Sequence, residues 1–168
     1  MLNAVEREAQ HKSSNKIMTP RAPRHSPITT RGTILAFDFG KKRIGVAMGE
    51  LELKMAHPLT TISEKADARF PAIEKLIQEW QPMRLIVGLP KYSDGTEHKM
   101  SEQCRRFARQ LQGRFNLETE LVDERYTSVE AEAMLADMGR GGEQDKHLID
   151  QLAAQRILQA YFDQYASP

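Results

Sequence analysis

At 168 residues and 19.1 kDa, with 40% hydrophobic and 28% charged residues, the chain has the size of one globular domain and is neither fibrous nor disordered in composition. The net charge of +1 excludes a uniformly basic nucleic-acid coat protein: residues 1–31 carry six Lys/Arg against Glu6 and Glu8, net +4, and the rest is net −3, so a nucleic-acid surface has to be a local patch. Cys104 is the only cysteine, which excludes an intrachain disulfide or a cysteine metal cluster, and no apolar run approaches the ~18–20 residues of a membrane span or the core of a secretory signal, so the cytoplasm is the expected compartment.

Residues 1–31 hold Pro20, Pro23 and Pro27 among Ser, Thr, His and Arg with few large apolar residues, and read as a basic tail preceding a domain over 32–168. TILAFDF (33–39) is a buried-strand run, Gly40 permits a turn, RIGVAMG (43–49) reads as a second strand and AHPLTTI (56–62) as a weaker third. Phe70, Ile73, Leu76, Ile77 and Trp80 recur at helical spacing between Asp67 and Trp80, with Pro71 tolerable in the first turn. LIVG (85–88) reads as a fully buried parallel strand, and YSDGTEH (92–98) as a polar loop with an Asp-Gly turn. A second helix carries Met100, Cys104, Phe107 and Leu111 on one face; ETELVDE (118–124) is a strand. Thr127 with Glu130 fits a capping box opening a short helix to about Gly139, residues 140–146 read as a flexible connector, and a last helix runs from about His147 to Tyr165. Three close early strands imply an antiparallel meander, and strands reached through helices imply parallel crossovers. The expected fold is therefore an α/β mixed sheet of five strands flanked by helices.

Asp38 stands inside an otherwise apolar strand, where a charge is costly unless paired or bound to a metal. It either caps the Gly40 turn or serves as a ligand near the carboxyl end of a central strand, where open α/β sheets bind. Asp150 has Ala153, Ala154, Ile157 and Tyr161 at its i+3, i+4, i+7 and i+11 positions, so it faces the sheet. A favourable charge at the helix N-terminus accounts for its position along the helix but not for its inward face. Asp123 and Glu124 close a strand, and alternation lets only one of them join Asp38 and Asp150. Three converging carboxylates suit hard divalent cations, Mg²⁺ or Mn²⁺, and two such ions ~4 Å apart activate water and stabilise a leaving oxygen in phosphodiester cleavage.

Lys42 and Arg43, with Lys41, sit in the turn after Asp38 and are candidates for holding phosphate; a charged hairpin tip that is merely soluble is the alternative. Lys146, ahead of Asp150, and Arg125, beside the acidic pair, join them as phosphate candidates. Arg105, Arg106 and Arg109 read as a solvated helix face, and Cys104 as core.

FDFGKKRIGVA (37–47), LIVGLP (85–90) with Asp94-Gly95-Thr96, VDERYTS (122–128) and IDQLAAQRIL (149–158) resemble, in order and with similar spacing, the four motifs of the YqgF family, also known as the RuvX-type Holliday junction resolvases. The resemblance spans about residues 32–165. It implies a ribonuclease H-like fold and metal-dependent nucleic-acid hydrolysis, with 5′-end processing of pre-16S rRNA as the assigned role and branched-DNA resolution as the alternative. It also implies that Asp38, Glu124 and Asp150 are the catalytic, metal-binding acids; nothing in it covers the tail.

Two other classes compete. The D-x-G turn with Lys41 also resembles the first phosphate loop of the actin, Hsp70 and sugar-kinase ATPases, but those close two such domains around ATP and this chain has length for one. A non-catalytic nucleic-acid adaptor could keep the fold, though it would have no need of all three acids. Monomer and homodimer are both open, and a resolvase cutting two strands symmetrically needs the dimer.

Overall fold

Ile34 and Ala36 on one parity and Leu35 and Phe37 on the other are all fully buried, so β1 (Thr33–Phe39) needs cover on both faces and belongs in the middle of a sheet. It does so in a computed structural model of the chain, which describes residues 32–63, 65–92, 94–124 and 143–166. β2 (Ile44–Glu50) and β3 (Met55–Ile62) complete the antiparallel meander, while β4 (Arg84–Leu89) and β5 (Thr119–Asp123) run parallel to β1. The five-stranded sheet has the order β3-β2-β1-β4-β5, the mixed arrangement expected from the element order.

Helices α1 (Ala66–Trp80) and α2 (Ser101–Phe115) cover one face, where Leu35, Phe37, Val46, Leu85 and Val87 meet Ile73, Cys104, Phe107 and Leu111. The long helix α3 (Glu143–Ala166) covers the other, packing Ala154, Ile157, Leu158 and Phe162 on Ile34, Ala36, Ala47, Ile86 and Val122. Ala153, Ala154, Ile157 and Tyr161, the inward stripe read from the sequence, are all buried.

The structure corrects the start of this helix. It begins at Glu143 rather than near His147, so Lys146, expected in a flexible connector, lies in the first turn. Asp145 there suits the positive end of the helix, and no proline follows Gly142 to delay the start. The proposed capping box, the short helix to Gly139 and Arg125 lie outside the described residues.

β3 is an edge strand, which is why Pro58 is tolerated close to a register shift opposite Val46 and Ala47. Its outer backbone is met by glutamines from α3. Gln155 Nε2 donates to Ala56 O at 2.9 Å, Ala56 N donates to Gln159 Oε1 at 3.1 Å, and Gln159 Nε2 donates to Lys54 O at 3.1 Å. One turn earlier Gln151 Nε2 donates to Thr61 Oγ1, which itself donates to His147 O at 2.6 Å. Spacing of four puts these glutamines on one stripe of the helix.

Candidate functional site

Strand alternation decides which acids can meet. Asp38 shares parity with Ile34 and Ala36 and so points to the α3 side, and Glu124 follows the parity of Val122 onto that side. Asp123 has the other parity; its side chain is half exposed and lies 3.4 Å from Lys91 Nζ. Glu124 sits just past the end of β5, tied to β4 by its N–H donating to Leu89 O at 3.1 Å.

The Asp38 and Glu124 carboxyls are in hydrogen-bond contact at the carboxyl ends of β1 and β5. Two carboxylates cannot share a hydrogen bond unless one carries a proton. Burial is the main reason both are held above the usual carboxylate range. For Glu124 the Asp38 charge and the hydrogen bond to it push the same way; for Asp38 that hydrogen bond opposes the burial and the Asp150 charge adds to it. The pair accordingly holds a proton between its two carboxyls more firmly than either would alone. Glu124 Oε2 is buried and has no hydrogen-bond partner.

Asp150 is delivered by the first half of α3, and its charge reaches Asp38. Its own partner is Arg43, whose Nε donates to Oδ2 at 2.6 Å, with both side chains about a fifth exposed (25% and 18%). The three acids thus gather at one end of the sheet as a protonated pair plus a third acid held by a cation. Among the described residues no three His, Cys, Asp or Glu side chains stand grouped as a metal site.

The donors fit a hard divalent ion all the same. They are oxygen only, the desolvated Asp38–Glu124 pair holds a proton that a cation would displace, and Glu124 Oε2 is buried without a hydrogen-bond partner. Of the phosphate candidates, Lys42 is exposed in the β1–β2 turn, as is Lys41; Lys146 is exposed on α3; Arg43 is committed to Asp150 in this state.

Three residues that position the site carried no functional reading in the sequence. Gly45, the register partner of Asp38, lies directly under the Asp150 backbone, and a Cβ there would overlap the Asp150 carbonyl. Gly88 makes the same room for the Glu124 carboxyl and Ile157. A glycine inside a strand is the available signal for such close approach. Arg69, buried in the first turn of α1, donates to Gly40 O at 3.0 Å and to Lys41 O, and lies 5.6 Å from the Phe39 ring centre, so it clamps the turn that follows Asp38. Its one sequence signal is that it falls on the Ile73 stripe of α1.

Comparison with known proteins bears on what this geometry serves. The model of the RuvX family, described as Holliday junction resolvase, matches residues 32–164. A protein of Methylobacillus flagellatus is 56% identical over 140 residues, 83% of this chain and 96% of its own length, and one of Nitrosomonas europaea is 56% identical over 133 residues, 79% and 90% respectively. Both are provisionally named pre-16S rRNA nucleases. Among solved structures, Thermus thermophilus RuvC overlays with a TM-score of 0.46 and 12% identity, covering 80% of this chain and 96% of that one, a distant likeness. With its five-stranded mixed sheet, its four motifs in order and relatives of this identity, the chain belongs to the RuvX family of nucleases.

Proposed function

We propose that the chain hydrolyses phosphodiester bonds with the help of Mg²⁺ or Mn²⁺, and that its substrate is the 5′ end of pre-16S rRNA during ribosome biogenesis in the cytoplasm. The observation that carries the hydrolytic reading is the Asp38–Glu124 pair: two desolvated carboxyls in contact at a strand-end edge, with an orphaned Oε2. A fold gains nothing from such a pair unless a cation relieves it. The named role of the relatives supports the rRNA substrate.

In this reading Asp38, Glu124 and Asp150 hold the cations. A bound divalent ion supplies Lewis-acid polarisation of the phosphate and an activated water. The chain's own part is positional. Asp38 is fixed by β1 and Glu124 by its backbone bond to Leu89. Asp150 is fixed by the packing of α3 on Gly45, and Arg43 keeps it oriented and neutralised when no cation is present. Lys42 and Lys146, with Arg125 from outside the described residues, take backbone phosphates. These contacts carry no sequence information, so register on the RNA has to come from elsewhere on the surface.

Incubation with pre-16S rRNA bearing its 5′ leader, and in parallel with a four-way DNA junction, tests the reading when each is run with Mg²⁺, with Mn²⁺ and with chelator. Cation-dependent shortening of the 5′ leader, lost in Asp38→Asn, is expected. Cleavage of the junction alone transfers the chain to branched DNA, the role in the family's description. Binding of RNA with no cleavage under any cation makes it an adaptor.

A further inference from the structure

The loop between β4 and α2 contains a pair of rings that the hydrolytic site does not use. Tyr92 is 48% exposed, and the His98 ring lies 4.9 Å from it, centre to centre, at 38°. Hydrogen bonds brace the loop that carries both rings. Tyr92 N donates to Thr96 O and Gly95 N to Tyr92 O, each at 2.9 Å, and Gly95 takes the positive φ of 89° that closes the turn. Lys91 and Glu97 pair across the loop, and Asp94 Oδ1 accepts from Thr96 N and from Thr96 Oγ1. On the far side His98 Nδ1 accepts from Met100 N at 3.0 Å, His98 N donates to Ser101 Oγ at 2.9 Å, and that hydroxyl donates to Pro90 O at 2.7 Å.

Position gives this platform its meaning. It begins three residues after Leu89, whose carbonyl anchors Glu124, so a chain of ~3.8 Å steps keeps the Tyr92 backbone within about 12 Å of that anchor. Lys91, the residue before it, pairs with Asp123, whose parity is opposite to that of Glu124. An exposed aromatic face within reach of a phosphodiester-cleaving site matches one repeating ligand: a nucleotide whose base stacks on the ring. The base has to be unpaired, since a duplex keeps its base faces covered.

We infer that Tyr92, backed by His98, is a stacking site for an unpaired nucleobase flanking the scissile phosphate, and that it directs the site toward single-stranded segments. The inference rests on the nuclease reading above and adds to it a substrate class, a strand with a splayed base. The tyrosine hydroxyl is not required, only the ring.

Binding is measured with the full chain in chelator, so that nothing is cut, using a single-stranded oligoribonucleotide and the same sequence as a blunt duplex, each with a 2-aminopurine reporter. Wild type and Tyr92→Phe are expected to bind the single strand alike and to quench the reporter. Tyr92→Ala is expected to bind it about tenfold more weakly without quenching, and all three to bind the duplex equally. Superimposable thermal melts establish that the alanine variant is folded. If Tyr92→Ala binds and quenches like wild type, the stacking site is refuted and the nuclease reading stands. If Tyr92→Ala loses single strand and duplex alike, the discrimination is refuted. If wild type binds neither RNA, the nucleic-acid reading fails with it.

Discussion

Asp38→Asn and Asp150→Asn each remove one negative charge from the same site, yet the structure gives them opposite effects on stability when cations are chelated. Asp38 is desolvated against Glu124, and a fold at pH 8 must either hold a proton there against solution or keep two charges in contact. Removing one of these acids relieves on the order of 2 kcal/mol. Asp150 is instead satisfied by Arg43, and its loss leaves a guanidinium without its carboxylate; the pair is partly solvated, so the cost is about 0.5–1 kcal/mol. For a domain of this size, roughly 3–5 °C accompanies each kcal/mol. Asp38→Asn should therefore melt about 6–10 °C above wild type, and Asp150→Asn a few degrees below. The sign also sets the pH dependence. A carboxyl raised in the folded state contributes stability in its protonated form, present below the ordinary value of about 4 and lost as pH rises through neutrality. The advantage of Asp38→Asn should therefore be near zero at pH 4, grow to pH 8, and shrink when Mg²⁺ is added to wild type. Calorimetric melts at several pH values, with chelator and then with Mg²⁺, provide the measurement. A destabilised Asp38→Asn at pH 8 in chelator, or equal signs for the two variants, refutes the account of the site.

Gly88→Ala should cost about 1–3 kcal/mol and depress cleavage further than its stability loss explains, because the new methyl displaces the Glu124 carboxyl; melts alongside cleavage rates check it. Gly45→Ala should be harsher, about 3 kcal/mol or more, since it meets the main chain of α3, and a normal melting temperature for it would contradict the packing. Burial, with the Glu124 and Asp38 charges adding to it, pushes the Cys104 thiol up to about 12, so the native protein should resist a thiol reagent at pH 8 and react fully in denaturant. Deleting residues 1–31 should leave cooperative unfolding and cleavage intact while weakening RNA binding at low salt, because that segment contributes net positive charge and little apolar surface; loss of the unfolding transition would show that it belongs to the fold.

The strands and the inward acids were legible because their signals are local. β1 (Thr33–Phe39) was found to the residue, and an acid in the middle of TILAFDF stands out by type alone. Alternation narrowed Asp123 and Glu124 to one, and the parity of Val122 seats Glu124 with Asp38. What stayed hidden depends on contacts across long stretches of chain. Nothing near Arg43 announces that its partner lies 107 residues away, so its sequence context suggests phosphate binding or a soluble turn and not the pair with Asp150. Arg69 was invisible for the same reason, its acceptors being backbone carbonyls about 28 residues earlier. The early start of α3 was missed because Glu-Gln-Asp-Lys is as compatible with a polar connector as with a solvated first turn.

The glutamine stripe on α3 bears on how copies of this protein can associate. An open sheet edge exposes a row of unused amide and carbonyl groups, and another molecule's strand can add to it. Along β3 those groups at Ala56, and the carbonyl of Lys54, are taken by side-chain amides of the same chain. A neighbour would have to displace Gln155 and Gln159 before it could extend the sheet. A strand added at the Ala56 end of β3 therefore has to break contacts that dock α3, and with it Asp150, so the amides that seat the helix also protect this end of the edge.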